Sequence, residues 1–158
     1  MTLDRRLAEL GIALPPPSAP GGLYAPVVVH RGTAWVSGQL PRRGDELLLP
    51  PGRIGAELTL AQGQEAARAA LLLALAALRD ELGGLGRVRQ VLSLGVHVRA
   101  DEGFTALSAV ADGASRLIGE LFGPAAGRHA RTTTGAAMLP RGACLELDAV
   151  FALDDDAP

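Results

Sequence analysis

One stretch, residues 60–82, sets most of the terms on which this chain can fold. Thr59 followed by Gln62 is the capping-box pattern, in which each side chain satisfies a backbone group of the other at a helix start. Leu71, Leu75, Leu78 and Leu82 recur at helical spacing and draw a stripe along one face. The turns around that stripe are lined with alanine on nearly every side, and Gly83-Gly84 then supplies a left-handed stop. A helix with so little face for water must lie close against a sheet. Aromatic residues are only 3% of the 158, so the core is built from Leu, Val and Ala.

The sheet is read from the flanking segments. Residues 27–30 and 33–37, separated by Arg31-Gly32, predict a hairpin. Residues 41–57 are rich in Pro, Gly and Arg and read as a long loop, with a short strand possible around 46–49. Residues 88–98 predict a long strand, with Val88, Leu92, Leu94, Val96 and Val98 on its apolar side and Val91, Ser93, Gly95 and His97 opposite. Residues 104–122 are predominantly helical; Gly113 is a candidate break and Gly123-Pro124 a stop. Residues 131–138 and 143–153 predict two further strands. A short helix over 2–10, with Leu3, Leu7 and Leu10 in phase, precedes a Pro/Gly-rich arm at 14–22. This order predicts an α+β domain: one mixed β-sheet with two main helices packed on one face. The expected division is a helical arm at 1–21, a domain at 22–153 and an acidic tail at 154–158.

Composition removes several kinds of chemistry. All 15 basic residues are arginine, so there is no P-loop lysine and no internal Schiff-base lysine. A net charge of -2 with few aromatics argues against nucleic acid as the main partner. Cys144 is the single cysteine, which excludes an intrachain disulfide, a CxxC pair and a cysteine-based zinc cluster. His30, His97 and His129 lack the HExxH spacing, so no metal is expected. Gly83-Gly84-Leu85-Gly86 follows a helix and precedes a strand, the reverse of a nucleotide loop. Ser37 has no GxSxG elbow around it. Asp4 and Glu9 interrupt any apolar leader, and the longest apolar run, 69–78, is far short of a membrane span of about 20 residues. A soluble, cytoplasmic protein is expected.

The chemistry-bearing residues lie late in the chain. By period-2 alternation Leu145, Leu147, Ala149, Phe151 and Leu153 share one face of the last strand, and Cys144, Glu146 and Asp148 the other. That second face is mixed rather than charged, which suits either water or another subunit. Arg131 and Thr133 likewise share a face of their strand. A guanidinium is a planar fork that grips a carboxylate, and a neighbouring carboxylate can position or deprotonate water. The pattern leaves two readings of Arg131 and Glu146: an ion pair across neighbouring strands, or a site for a small carboxylic acid.

Three segments add a resemblance. VSGQLP at 36–41, GRHARTTTG at 127–135 with LPRG at 139–142, and LELDAV at 145–150 resemble the "SGQ-P" segment, the arginine strand with its "LP-G" turn, and the closing "VEIEA" strand of the Rid family (reactive intermediate deaminases, or YjgF/L-PSP endoribonuclease-like proteins). The match runs over roughly 22–152 and is most similar to a longer branch with an N-terminal helical arm. The resemblance implies a chorismate-mutase-like fold and a homotrimer whose sheets form a central barrel, with clefts at the subunit interfaces. It also implies hydrolysis of 2-imino or enamine acids, such as 2-aminoacrylate or 2-iminobutanoate, to 2-keto acids and ammonia, without a cofactor. Position by position, Arg131 matches the arginine that binds the substrate carboxylate and Glu146 the glutamate that holds the attacking water. Tyr24 matches the aromatic of the "GPY" segment, Ser37 the serine at the cleft, and Thr133 a position where many members carry cysteine. The arm, the 41–58 loop, His129 in place of a common proline, and Gly22-Leu23-Tyr24 without its proline depart from the short members. Imine hydrolysis chiefly needs an oriented carboxylate and an oriented water. The competing readings are a non-catalytic trimeric binder of small carboxylates and the ribonuclease or translation-inhibitor role that some family names imply. The acidic balance and absence of lysine count against the last.

Overall fold

A computed structural model describes residues 2–154. In chain order the elements are α1 (Leu3–Glu9), β1 (Val27–His30), β2 (Thr33–Gln39), β3 (Arg42–Arg43), β4 (Glu46–Leu47), α2 (Leu60–Leu82), β5 (Val88–Val98), α3 (Leu107–Ala126), β6 (Ala130–Gly135) and β7 (Leu145–Leu153), with a 3-10 turn at Pro140–Gly142. β1, β2, β7, β5 and β6 form one sheet in that order, and β3 and β4 form a separate hairpin. β7 runs antiparallel between β2 and β5. Only β5 and β6 are parallel, and α3 is the crossover a parallel pair requires. The expected α+β architecture is therefore present: a mixed sheet with α2 and α3 on one face.

The capping box at α2 forms as its sequence implies. Thr59 Oγ1 accepts from the Gln62 backbone N–H at 3.2 Å, and Gln62 Oε1 accepts from the Thr59 N–H at 2.9 Å. Gly83 ends the helix at φ 70°. Ala66, Ala67, Ala70, Ala74 and Ala77 are buried together with Leu71, Leu75 and Leu78. Small side chains let the helix settle close to the sheet, where the leucines meet Phe151 and the valines of β5 in one core. Each fully buried leucine contributes about 1.5–3 kcal/mol over exposure, so Leu78→Ala would cost about 2–5 kcal/mol including its cavity.

Three local expectations need correction. In β5 it is Val91 that is fully buried, while Leu92 is 39% exposed on the open face. The register with β7 slips between Val88 and Gln90 and again between Val91 and Ser93, and each bulge reverses the side-chain alternation. Gly113 does not break α3 but lies inside it. A Cβ there would fall 2.6 Å from the backbone carbon of Gln64, so glycine is what lets α3 cross α2. The helix begins at Leu107 rather than 104, and beyond Gly123 (φ 73°) a further short turn runs to Ala126.

The segment at 1–21 is tied to the rest of the fold. Leu3 and Leu7 enter the common core. Asp4 Oδ2 accepts from the Leu85 N–H at 2.9 Å, and Arg6 Nε donates to the Glu120 carbonyl at 3.0 Å. Of the acidic tail only Asp154 is described, paired with Arg89; residues 155–158 lie outside the described range. Among the described residues no helix is long and apolar enough to cross a membrane.

The face of the sheet away from the helices carries Val28, Trp35 and Leu92 exposed. Beside them His97 Nε2 meets Asp148 Oδ2 at 3.0 Å and His97 Nδ1 meets Thr134 Oγ1 at 2.9 Å. Asp148 lies over Gly95, where a Cβ would fall 2.8 Å from its Cγ.

Candidate active site

The site begins at an irregularity in β2. Val36 pairs with Ala149 but Gln39 with Leu147, so an extra residue is accommodated at Ser37-Gly38. Ser37 Oγ donates to the Ala25 carbonyl at 2.7 Å, and the buried Gln39 donates through Nε2 to the Ser37 carbonyl at 3.1 Å. The bulge is thus fixed from both sides. Gly38 leaves a hollow that the Glu146 side chain fills: a Cβ at Gly38 would fall 2.8 Å from Glu146 Cδ. Glu146 reaches it from β7 on the open face of the sheet, opposite the buried Leu145 and Leu147.

This carboxylate lines a solvent-open pocket of about 590 Å³, together with Ser37, Gly38, Tyr24, Arg42 and Arg141 among others. That volume lies within the roughly 300–1,000 Å³ usual for small-molecule sites. Tyr24 brings the arm to the wall; its hydroxyl accepts from the Gly21 N–H at 3.0 Å. Arg42 comes from β3 and Arg141 from the 3-10 turn, where its backbone is left-handed at φ 59°.

Tyr24, Ser37 and Glu146 are therefore brought together, and Arg131 and Thr133 are not. Arg131 pairs with Leu94 and Thr133 with Val96, both of which point into the core beneath the helices, whereas Glu146 pairs with His97 on the open face. The Arg131 guanidinium turns to α3. It donates to Asp112 Oδ1 at 2.8 Å, Ser115 Oγ at 2.9 Å and Ser108 Oγ at 2.6 Å. An ion pair between Arg131 and Glu146 does not form; the carboxylate partner is Asp112. Ser115 Oγ also meets His129 Nε2 at 2.9 Å, so His129 braces the same cluster.

Sequence reasoning did not single out Arg42 and Arg141. The 41–58 loop shows only its Pro, Gly and Arg content, with no local signal that Arg42 lines the same pocket as Glu146. Cys144 is buried, and burial pushes its thiol up to about 11, which keeps it protonated and inert.

Residues 4–152 match the family described as "YjgF/chorismate_mutase-like, putative endoribonuclease". Protein TCP17 of Trypanosoma cruzi is 44% identical over 149 residues, covering 94% of this chain and 92% of that protein. Among solved structures, Atu1372 of Agrobacterium tumefaciens, a protein of unknown function, superposes with TM-score 0.86 at 34% identity, covering 96% of this chain and 92% of that one. An endoribonuclease-named protein of Shewanella oneidensis superposes with TM-score 0.90 at 31% identity, covering 97% and 100%. With the family match spanning residues 4–152 and a relative 44% identical over 149 residues, the chain belongs to the YjgF/chorismate-mutase-like family.

Proposed function

We propose that the protein is a hydrolytic deaminase of reactive 2-imino and enamine acids, such as 2-iminobutanoate or 2-aminoacrylate, releasing 2-keto acids and ammonia. The observation that carries this reading is the Glu146 carboxylate held in the hollow over Gly38, within a pocket also lined by Ser37 and Tyr24. The enamine tautomerises to the imine, whose protonated form is electrophilic at C2. Water adds there as Glu146 accepts its proton, giving a tetrahedral amino alcohol. Glu146 returns that proton to nitrogen, the C–N bond breaks, and ammonia leaves as the hydroxyl proton is lost and the ketone forms. The gain comes from proximity and proton handling, and the reading calls on no cofactor.

Arg131 enters this reading across a subunit boundary. On its own chain it lies on the opposite side of the sheet from Glu146, near the β6 edge. In a homotrimer that edge would close a neighbour's pocket, so that Arg131 grips the substrate carboxylate and Thr133 lines the cleft. The exposed Val28, Trp35 and Leu92 suit a sheet face covered by another subunit. A cytoplasmic place fits the same reading.

The test is 2-keto acid release from freshly generated 2-iminobutanoate by wild type, Glu146→Gln and Arg131→Ala, with subunit mass from sedimentation. Loss of acceleration in both variants with the trimer intact supports the reading; full acceleration by Glu146→Gln sinks it. One observation favours the alternative of a non-catalytic carboxylate binder: Arg131 is already neutralised by Asp112. That alternative predicts carboxylate binding with no ammonia release. Ribonuclease action is not proposed, given the net charge of -2.

A further inference from the structure

Two guanidiniums in the pocket have no part in the reaction just described. The Arg42 side chain is only 12% exposed. It donates to the Ala19 carbonyl of the arm at 2.7 Å and to the Gly44 carbonyl at 3.2 Å. The carboxylate it pairs with, Asp45 Oδ1, stands 3.9 Å off, beyond hydrogen-bond reach. The same oxygen lies 3.5 Å from Arg141, which also donates to the Asp45 carbonyl. One carboxylate oxygen is thus shared at long range between two cations, and the Asp45 side chain that bears it is 93% exposed. An enclosed guanidinium met by carbonyls and a distant anion is under-neutralised. Arg141 adds a left-handed backbone at φ 59°, a conformation that a non-glycine residue keeps only when its surroundings hold it. The pocket lining carries two arginines against one carboxylate, Glu146.

We propose that Arg42 and Arg141 form a second anion subsite, so that the preferred substrates are dianionic: imino acids with a further carboxylate at the end of the side chain. Asp45, exposed to solvent and at long range from both guanidiniums, is the competing anion that the ligand's carboxylate displaces. Planar forks on two sides suit a carboxylate, and salt-weakened binding follows from the charge. The substrate assignment rests on the deaminase reading; the subsite does not.

Glutarate, a dicarboxylate without an imine, is the probe for the subsite, and butyrate its single-charge control. Calorimetric titration of the full chain should give glutarate at least about tenfold tighter than butyrate, the worth of one good charge-assisted pair. Arg141→Ala should erase that preference. Asp45→Asn should tighten glutarate, because the resident competing carboxylate is gone, and a merely structural Asp45 would not act in that direction. Equal binding of the two acids, or weaker glutarate binding by Asp45→Asn, overturns the proposal. In turnover, the ratio of kcat/KM for 2-iminoglutarate over 2-iminobutanoate should fall about tenfold or more in Arg141→Ala. Glutarate preference with no turnover of either imine refutes the deaminase and keeps the subsite. Turnover without glutarate preference does the reverse.

Discussion

Replacing Gly38 by alanine should disable the site and leave the fold standing. The added methyl would fall 2.8 Å from Glu146 Cδ and 3.0 Å from its Cγ, with a carboxylate oxygen nearer still. Carbon atoms rest at about 3.5 Å or more, so Cδ must retreat by roughly 0.7 Å and the oxygen by more. A misplacement near 1 Å at a reacting centre costs on the order of 100-fold, which is about 2.7 kcal/mol of barrier. The fold has little reason to object. Gly38 is not among the positive-φ glycines, so alanine meets no backbone strain. The obstructing atoms are the end of a flexible side chain, and the unfolded chain loses some entropy, so stability should change by less than about 1 kcal/mol.

The assay is kcat and KM for 2-keto acid release, beside a urea melt. A methyl that only narrowed the cavity would raise KM at constant kcat; a displaced Glu146 lowers kcat. In the Glu146→Gln background the same change should add almost nothing, because the group it displaces no longer acts. Gly38→Ala with wild-type kcat would refute the argument that Glu146 handles the proton from its seat over the bulge.

Gly113→Ala should act on stability instead. Helix propensity favours alanine by up to about 1 kcal/mol, but the methyl meets the Gln64 backbone, and forced overpacking costs about 1–3 kcal/mol or more. A lower urea midpoint is expected, and an unchanged or higher one would show that α2 and α3 separate freely. Cys144, raised from 9.0 to about 11, carries about 100-fold less thiolate than an ordinary thiol. Ellman's reagent should therefore label it only as the protein unfolds, and rapid labelling of the native protein would contradict its burial. The Arg53 backbone N–H, and after it the Arg53 guanidinium, hold Glu57 down at about 2 from an ordinary 4.5. A depressed carboxylate stabilises above its unfolded value and loses that contribution as pH falls toward the folded one. Glu57→Gln should be less stable than wild type at neutral pH, and the gap should close between about pH 4.5 and 2 in urea melts. A gap independent of pH would mean that the charge is idle.

The elements legible in the sequence are those whose causes are local. The α2 boundaries follow from Thr59, Gln62 and Gly83, all within one turn of the ends they define. The face of β7 follows from strict alternation, which the strand keeps over its whole length. The sequence places Leu92 on the wrong face because bulges belong to the pairing of two strands and leave no mark in one. Gly113 reads locally as a helix breaker, and only the crossing with Gln64, 49 positions earlier, gives it its actual role.

The site divides along the same line. Short motifs carry Ser37, Gly38 and Glu146 to one place because each sits on a strand of the central sheet. Arg42 and Arg141 meet through Asp45, joined by the β3–β4 hairpin and the 140–142 turn, and no spacing between them announces that. Arg131 shows the limit most clearly. Period 2 places Arg131 and Thr133 on one side of their strand, but ARTTTG has none of the apolar alternation of β7 to say which; that depends on register. In the observed register Leu94 pairs with Arg131 and His97 with Glu146, which sends the Arg131 and Glu146 side chains to opposite faces. A slip of β6 by one residue would carry Arg131 to the Glu146 face and leave every motif intact. The Asp112, Ser108 and Ser115 contacts on α3 oppose that slip, since each requires the guanidinium on the helix side. The cluster that removes Arg131 from its own Glu146 is thus also what holds it at the edge where a second subunit could use it.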